Sequence, residues 1–312
     1  MKIKRIAIVG GGNAGWISAN HLGLELSRDS EIEITLIESK DISVIGVGEG
    51  TIPIIRDSLQ SFGINEGDIL TQCDATFKTG IKFSNWMTEN KNRENNFYYH
   101  VFDSPYPSGY DVTHYWLGNK VIADFSKLST SYWISEKNRC PKRKDSPPYK
   151  GFVNYAYHFD AAKFATLLAN NAKKKFGIKH IFETVQQITL HADGSIKGLQ
   201  YESGKYEEFD FYIDCSGFSA LLLGGMLCVP FVDKGTQVPT DSALVLQVPT
   251  EQNEEIFPYT KSVAHEAGWI WDIPLTTRRG TGLVYSSQHM TDEEAIRVFF
   301  PYHGKNLENS SI

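Results

Sequence analysis

Apolar runs alternate with glycine-rich or polar breaks along the first part of the chain. RIAIVGGGNAGWISANHL has a short apolar run at Arg5–Val9, a glycine turn, and then the spacing of a helix. A second apolar run, EIEITLIE, ends at Glu38. The pattern predicts a buried strand, a tight turn, a helix and a second strand, which is the opening of an α/β fold.

The middle of the chain continues the alternation of helix and strand patterns. HFDAAKFATLLANNAKKKFG predicts a helix with Asp160 as its N-cap and Gly177 beyond its C-terminus. Its apolar face has the residues Phe164, Leu167, Leu168 and Ala172. We expect a strand at residues 180–185, a meander with turns at 193–194 and 203–204, and a last strand in FDFYIDCSGF.

The first glycine turn fits the pattern G-x-G-x-x-G through Gly10, Gly12 and Gly15. In a dinucleotide-binding turn these glycines allow the tight bend, the close approach of a pyrophosphate and the packing of helix on strand. The phosphates then lie at the helix N-terminus. Glu38 follows Gly15 by 23 residues and could accept hydrogen bonds from ribose hydroxyls. A purely structural turn is the alternative.

A second glycine loop favours FAD over NAD as the dinucleotide. VIGVGEGTIP places Gly46, Gly48 and Gly50 within five residues, followed by Thr51 and Pro53. Such a loop brings the backbone close to a flat or charged group. The later strand FDFYIDCSGF ends in Asp214, where two-domain flavoproteins return to the cofactor; an ordinary turn is again the alternative.

Composition excludes several classes of protein. The chain has 312 residues and a net charge of −6, which argues against a nucleic-acid binder. The basic cluster at 137–144 predicts a solvated loop rather than an anion site. Its four cysteines lack redox or metal-ligand spacing, so we expect no metal and a reducing, cytoplasmic location. No apolar run reaches the length of a membrane span, and MKIKRIAIVGGG reads as strand and turn rather than a signal peptide.

Several motifs together resemble one family, the FADH2-dependent (tryptophan) halogenases. They are the glycine fingerprint at 10–15, GVGEGTIP at 46–53, FKTGIKFSNW at 77–86 and WIWDIP at 269–274. The last matches the W-x-W-x-I-P signature of the family; YHFDAAKFA, IDCSGF and LVLQVP are also similar to family segments. The resemblance implies a glutathione-reductase-type, Rossmann-like FAD-binding fold interleaved with a β-sheet substrate module. We assign FAD-binding segments to about 1–60 and 150–225, and substrate or tunnel segments to about 70–149 and 226–312.

The resemblance also implies the chemistry. FADH2, supplied by a separate NADH-dependent flavin reductase, reacts with O2 to a flavin hydroperoxide, which oxidises chloride or bromide to hypohalous acid. A lysine then delivers the halogen to an electron-rich aromatic substrate, tryptophan or another indole or phenol. By motif position this lysine is Lys78, while Lys82 falls on another basic position of the motif.

The matching motif positions imply further site residues. For FAD they are Gly10, Gly12, Ala14, Gly15, Glu38, Gly48, Glu49, Gly50, Thr51, Asp214 and Gly217. For the substrate they are His100, Phe102, Trp269, Trp271, Ile273 and Pro274. The family segment that matches WIWDIP lies between flavin and substrate, which diverts the oxidant toward halide. For His100 and Phe102, ordinary core packing is the alternative.

The end of the chain fits the family less well. We align Glu308, in LENSSI, with the catalytic glutamate of the family, and Ser310 and Ser311 with its halide-side residues. The connection between Trp271 and Glu308 is shorter than is usual in the family, and we expect that a C-terminal helical region is missing. Two other functions stay open: a flavin monooxygenase that hydroxylates an aromatic, and a non-catalytic flavin-binding relic. A homodimer is one assembly that the sequence leaves open.

Overall fold

A computed structural model describes residues 3–26, 31–42, 46, 48–87, 96–103, 110–118, 125–251 and 253–303. Within these ranges the strands and helices follow one another as β1 (Arg5–Val9), α1 (Asn13–Leu26), β2 (Glu33–Glu38), β3 (Glu49–Gly50), α2 (Ile54–Phe62), α3 (Glu66–Gln72), β4 (Thr76–Lys78), β5 (Gly80–Ser84), β6 (Phe97–Val101), α4 (Thr113–Gly118), α5 (Thr130–Glu136), β7 (Ala156–Phe159), α6 (Ala161–Phe176), β8 (Lys179–Phe182), β9 (Val185–Leu190), β10 (Ile196–Tyr201), β11 (Tyr206–Glu208), β12 (Phe211–Asp214), β13 (Ser242–Pro249), β14 (Thr260–His265), β15 (Gly268–Pro274), β16 (Arg278–Tyr285) and α7 (Asp292–Tyr302). The α/β pattern expected from the sequence is confirmed.

The chain forms two compact units, each built from separate stretches of sequence. The first contains Met1–Gly46, Ser58–Cys73 and Ala161–Asp233, and the second contains Val47–Asp57, Asp74–Asp160 and Lys234–Ile312. Residues 47–57 and 150–160, which we grouped with the FAD-binding segments, lie in the second unit. They do so because β3 pairs with β7 and β7 pairs with β4.

The first unit has a four-stranded parallel sheet in the order β12-β1-β2-β8. The predicted strands ending at Val9, Glu38 and Asp214 are confirmed, and so is the helix that becomes α6. The strand predicted at 180–185 is wrong in its extent, since β8 ends at Phe182 and a new strand begins at Val185. Thr184 leaves the first sheet because its carbonyl pairs with Glu202 of the meander instead.

The meander forms an antiparallel sheet in the order β11-β10-β9. Its turns contain Gly194 and Gly204, both with positive φ, as the sequence predicts. Leu199, Tyr201 and Phe209 of this region are buried against Ala7 and other residues of the parallel sheet. The meander therefore closes one face of the dinucleotide-type sheet.

The second unit is organised by a six-stranded sheet in the order β13-β16-β15-β14-β5-β6. All its neighbours are antiparallel except β14 and β5. Helix α7 begins with a capping box between Thr291 and Glu294. Its buried Phe299 belongs to one core cluster with Ile270 and Leu283 of the sheet.

A smaller antiparallel sheet of the second unit has the order β3-β7-β4. Its register places Gly50 opposite His158, and His158 opposite Thr76. Side chains two apart in a strand share a face, so Lys78 lies on the same face as Thr76. No helix among the described residues has the length and apolarity that a membrane crossing requires.

Candidate functional site

The glycine turn after β1 has the close contacts that its sequence predicts. Gly10 has a φ of +117°, and a Cβ there would clash with the carbonyl oxygen of Cys215. A Cβ on Gly15 would clash with the carbonyl oxygen of Gly10. Only glycine satisfies both conditions, because it has no Cβ and accepts positive φ. The turn therefore brings β1, β12 and α1 closer together than other residues permit.

Gly12 differs from its neighbours because the space beside it is open. A Cβ built on Gly12 has no atom within 4 Å among the described residues, and the same is true of Gly217, the residue expected to contact the cofactor after β12. The side-chain oxygen of Asn13 is buried and has no hydrogen-bond partner within those residues. An open backbone at a helix N-terminus, where free N–H groups favour anions, fits a pyrophosphate. The Asn13 oxygen can only accept, so it is available to an N–H or O–H donor of a ligand. The residues present therefore fit FAD. Ala14, the other predicted contact of this turn, is exposed on α1.

Glu38 ends β2 beside the glycine turn, as a ribose-binding acid should. A Cβ on Gly11 would clash with the Glu38 carboxyl group, so this group lies against the turn. Glu38 Oε2 is 2.8 Å from His180 Nε2. Burial lowers the pKa of His180, while the hydrogen bond and charge of Glu38 oppose that shift. The sequence did not indicate His180 as the partner that holds this carboxylate.

Asp214 uses its carboxylate within the polypeptide. One oxygen accepts from the backbone N–H and the hydroxyl of Ser216, and the other accepts at 2.9 Å from the N–H groups of Leu222 and Leu223. Leu222 and Leu223 belong to a π-helical turn at Leu221–Met226. Burial would raise the pKa of Asp214, but these hydrogen bonds outweigh it and the pKa is lowered. A contact of Asp214 with the flavin stays a prediction.

The second glycine loop packs in the second unit. Gly48 has a φ of +99°, and a Cβ there would be 3.5 Å from Ile273 Cγ2. The Thr51 hydroxyl donates to the Tyr157 carbonyl at 2.8 Å and accepts from the Tyr157 N–H. Glu49 is half-buried in β3. The loop thus lies against the end of the W-x-W-x-I-P segment, while its contact with FAD stays a prediction.

Lys78 is a buried lysine with no partner of opposite charge in the described part of the chain. Its exposed fraction is 4 %. Burial lowers the pKa of its ammonium to about 8. Its Nζ is 5.6 Å from the ring centroid of Phe102. Beside it, a Cβ on Gly50 would lie 3.0 Å from the ammonium nitrogen. A desolvated amine next to an aromatic ring suits the role predicted for this residue.

His158 lies beside Lys78 in the candidate site, and the sequence did not indicate it, although it belongs to the segment YHFDAAKFA. It is fully buried, and burial together with the charge of Lys78 lowers its pKa well below the ordinary value. Its Nδ1 is 3.2 Å from the Thr76 hydroxyl oxygen, and its Nε2 is 2.9 Å from that of Thr260. Ala156 and His158 are two positions apart and so share one face of their strand. No sequence signal indicated Thr76 and Thr260 as the partners of His158.

His100 and Phe102, predicted to line the substrate, have different surroundings. His100 is exposed in β6, opposite Ile81. Phe102 follows β6, is half-buried, and makes the aromatic contact with Lys78. Phe102 therefore belongs to the surroundings of Lys78, and neither residue is shown to contact a substrate.

The W-x-W-x-I-P segment forms β15. Trp269 and Trp271 are half-buried on one face, while Ile270 on the other face enters the core. Trp86 stands beside Trp269 with a centroid distance of 6.0 Å and donates its indole N–H to Ser262. The Trp271 N–H is buried without an acceptor among the described residues. The two indoles share one face, as strand periodicity predicts.

Lys82 has surroundings unlike those of Lys78. Its ammonium is 2.9 Å from a carboxylate oxygen of Glu136 and 4.1 Å from the ring centroid of Phe97. Glu136 also accepts from the Tyr99 hydroxyl at 2.6 Å. Lys82 is therefore an ion-paired lysine in an aromatic cluster, which supports the choice of Lys78 rather than Lys82 as the predicted reactive amine.

The remaining predicted residues, Glu308, Ser310 and Ser311, lie outside the described residues. Pro274, by contrast, is placed next to the Lys78 strand, because its carbonyl accepts from the Thr76 hydroxyl at 2.6 Å.

The parallel sheet with its glycine turn places this chain in the class of proteins with an FAD-binding, Rossmann-like fold, which is also the class of its structural neighbours. The family is more specific than the class. The chain belongs to the tryptophan halogenase family, whose model matches residues 5–311.

Individual relatives agree with this assignment. The chain is 35 % identical over 314 residues to tryptophan 7-halogenase RebH of Lentzea aerocolonigenes, covering 96 % of this chain and 58 % of that one. The structure matches the tryptophan halogenase of Shewanella frigidimarina NCIMB 400 with a TM-score of 0.92 and 39 % identity, over 97 % and 60 % of the two chains. It matches Xcc4156, a flavin-dependent halogenase of Xanthomonas campestris, with a TM-score of 0.85 and 32 % identity, over 98 % and 60 %. The chain thus spans less than two thirds of the length of these relatives.

Proposed function

We propose that this protein is a flavin-dependent halogenase acting on an electron-rich aromatic molecule, tryptophan or another indole or phenol. The observation that carries the proposal is Lys78, a buried amine with a lowered pKa beside Phe102. Membership of the tryptophan halogenase family supports it. When bound, FADH2 with O2 would supply the oxidising equivalent that converts chloride or bromide to hypohalous acid.

Residues of the first unit bind FAD, and Lys78 of the second unit delivers the halogen. Gly10, Gly12 and Gly15 bind the FAD pyrophosphate at the N-terminus of α1, and Glu38 binds the ribose. Lys78 holds the hypohalous acid, by hydrogen bond or as a haloamine, and delivers the halogen. A neutral amine is the nucleophile for the second alternative, and a pKa of about 8 makes it available near neutral pH.

Other residues control access to Lys78. Phe102 offers an aromatic surface for stacking, and Trp269 with Trp271 separates the organic substrate from the flavin. We assign to Glu308 the activation of the halogen donor or removal of the ring proton, and to Ser310 and Ser311 the halide. A separate NADH-dependent flavin reductase supplies FADH2, and we place the reaction in the cytoplasm.

The test is a product assay with the 312-residue chain. The protein is mixed with FAD, an unrelated flavin reductase, NADH, chloride or bromide, and a panel of indoles and phenols that includes tryptophan. We expect a mass gain of one halogen that is lost in Lys78→Met. Lys82→Arg is the matched control, since it changes a nearby lysine and preserves the charge that pairs with Glu136.

The alternatives give different products. A hydroxylated aromatic would identify a flavin monooxygenase and contradict the proposal. Bound FAD with no modified product from any substrate would favour the non-catalytic relic. Halogenation that is unchanged in Lys78→Met would exclude Lys78 as the delivering residue.

A further inference from the structure

In the hydrogen bonds around His158, each donor and each acceptor can be assigned in only one way. The carbonyl oxygen of Pro274 can only accept, so the one proton of the Thr76 hydroxyl is directed to it, at 2.6 Å. The Thr76 oxygen must then accept from His158 Nδ1, 3.2 Å away. A neutral imidazole that carries its proton on Nδ1 leaves Nε2 as an acceptor. Thr260 therefore donates its hydroxyl proton to Nε2, at 2.9 Å.

This direction leaves Thr260 as an acceptor toward its other side. Its only proton is directed to His158, so the remaining lone pairs of its oxygen can only accept. None of the described residues donates to this oxygen. Thr260 is 9 % exposed, so water offers its oxygen little compensation.

The Lys78 ammonium, by contrast, is a hydrogen-bond donor that lacks an acceptor in the described part of the chain. It has three N–H donors, and none of them reaches a hydrogen-bond acceptor among the described residues. Both groups border the same small space: a Cβ on Gly50 would lie 3.0 Å from Lys78 Nζ and 3.1 Å from Thr260 Oγ1. The same point is 3.4 Å from His158 Cδ2. A donor without an acceptor and an acceptor without a donor therefore both border the space beside Gly50, although no hydrogen bond joins them in this structure.

We propose that Thr260 is a positioning residue for Lys78: its oxygen, fixed as an acceptor by His158, accepts a hydrogen bond from the ammonium when the Lys78 side chain turns into the space beside Gly50. One N–H of Lys78 then donates to Thr260, and the other two remain for the group that Lys78 carries. Only the role of Lys78 in this statement rests on the proposed function.

The other ionisable groups near these strands are accounted for. Asp160, which follows β7, is 2.7 Å from the Arg278 guanidinium. On β14, Lys261 follows Thr260 and so faces the other side of the strand, over the ring of Phe257. Glu49 precedes Gly50 in β3, so its side chain belongs to the opposite face of the strand from the space beside Gly50. Among these groups, His158 is the titratable neighbour of Lys78, and it is neutral because burial and the charge of Lys78 lower its pKa well below the ordinary value.

The experiment follows the titration of Lys78 directly, by the pH dependence of its ¹³Cε resonance in lysine-labelled protein, assigned through Lys78→Met. We expect Thr260→Val to lower the pKa of Lys78 by about one pH unit, because the charged form loses a hydrogen bond. Thr260→Ser retains the hydroxyl and should titrate as the parent does. Thr281→Val is the control: it removes another fully buried hydroxyl of this unit, one that donates to Leu246.

Each outcome decides the proposal. If Thr260→Val titrates as Thr260→Ser does, the proposal is overturned; Thr260→Ala repeats the test should the valine variant not fold. A lower pKa in the valine variant must also be accompanied by less halogenated product per FADH2 consumed, whereas the serine variant keeps the parental ratio. A shifted titration with an unchanged ratio would refute the positioning role. If neither the parent nor any variant halogenates a substrate, the proposed function is wrong. The titration of Lys78 then still shows whether Thr260 contacts it.

Discussion

Replacing Lys78 by methionine should stabilise the folded protein at neutral pH while it removes the reactive amine. Burial lowers the pKa of Lys78 from 10.5 to about 8. The folded state therefore releases this proton more readily than the unfolded state does, and a charged Lys78 opposes folding. Methionine has a similar length, fits an apolar site and carries no charge to desolvate.

The size of the effect follows from the two pKa values. A difference from 10.5 to about 8, at about 1.36 kcal/mol per pH unit, corresponds to roughly 3 kcal/mol. Below about pH 8 both states bind the proton and the penalty is fully present. Between about 8 and 10.5 the unfolded state binds more protons than the folded state, so stability rises with pH. The advantage of Lys78→Met should therefore be largest at pH 7 and nearly absent at pH 10.5.

Urea unfolding of the parent and the variant at several pH values measures this difference. Groups whose titration does not depend on Lys78 cancel when the two free energies of unfolding are subtracted. His158, whose pKa burial and the charge of Lys78 lower, is neutral in the folded parent over this pH range. Lys82→Met is the comparison, and it should destabilise the fold, because it leaves the Glu136 carboxylate without its cation. A Lys78→Met variant that is no more stable than the parent at pH 7, or whose gain does not change with pH, would refute the reasoning.

Three further changes test other parts of the molecule. Gly12→Val should abolish FAD binding in a fluorescence titration, because its side chain fills the open space beside the turn; full FAD occupancy would contradict the assignment. Asp214→Asn should cost about 1.5–3 kcal/mol in urea unfolding at pH 7, and the difference should fade as the pH falls below the lowered pKa of Asp214. Arg279→Gln should cost about 3–5 kcal/mol, because it leaves the fully buried Asp272 carboxylate without its cation; a loss below about 1 kcal/mol would contradict this.

Local patterns were sufficient to predict most of the first unit. The strand, turn and helix around Gly10 are adjacent in sequence, and the period of the apolar residues changes where the structure changes. The helix α6 ends where Gly177 takes a positive φ. The end of β8 was missed because the β-branched Val185 follows Phe182 after only two residues, Glu183 and Thr184, so the sequence suggests one continuous strand. The strand exchange at Thr184 depends on a distant partner, Glu202.

Local sequence patterns do not predict which residues surround Lys78. The motif singles out Lys78, but the residues that surround it are distant in sequence. His158 is 82 positions from Thr76 and 102 positions from Thr260. Burial of the ammonium likewise depends on how separate strands pair, which a single sequence does not display. The division of the chain into two units had the same cause, since β3 joins the second unit through its pairing with β7.

The W-x-W-x-I-P segment shows why its spacing has a period of two. Trp269, Trp271 and Ile273 alternate along β15, and a residue on this face approaches the second glycine loop, since Ile273 lies 3.5 Å from the position of a Cβ on Gly48. The residues between them serve the opposite face: Ile270 packs in the core, and Asp272 pairs with Arg279. A slip of one residue in the register of β15 would exchange its two faces. The indoles would then be buried, and the Asp272 carboxylate, which pairs with Arg279 in this structure, would be exposed. The two indoles are thus held in place by the ion pair and core contacts of the residues between them.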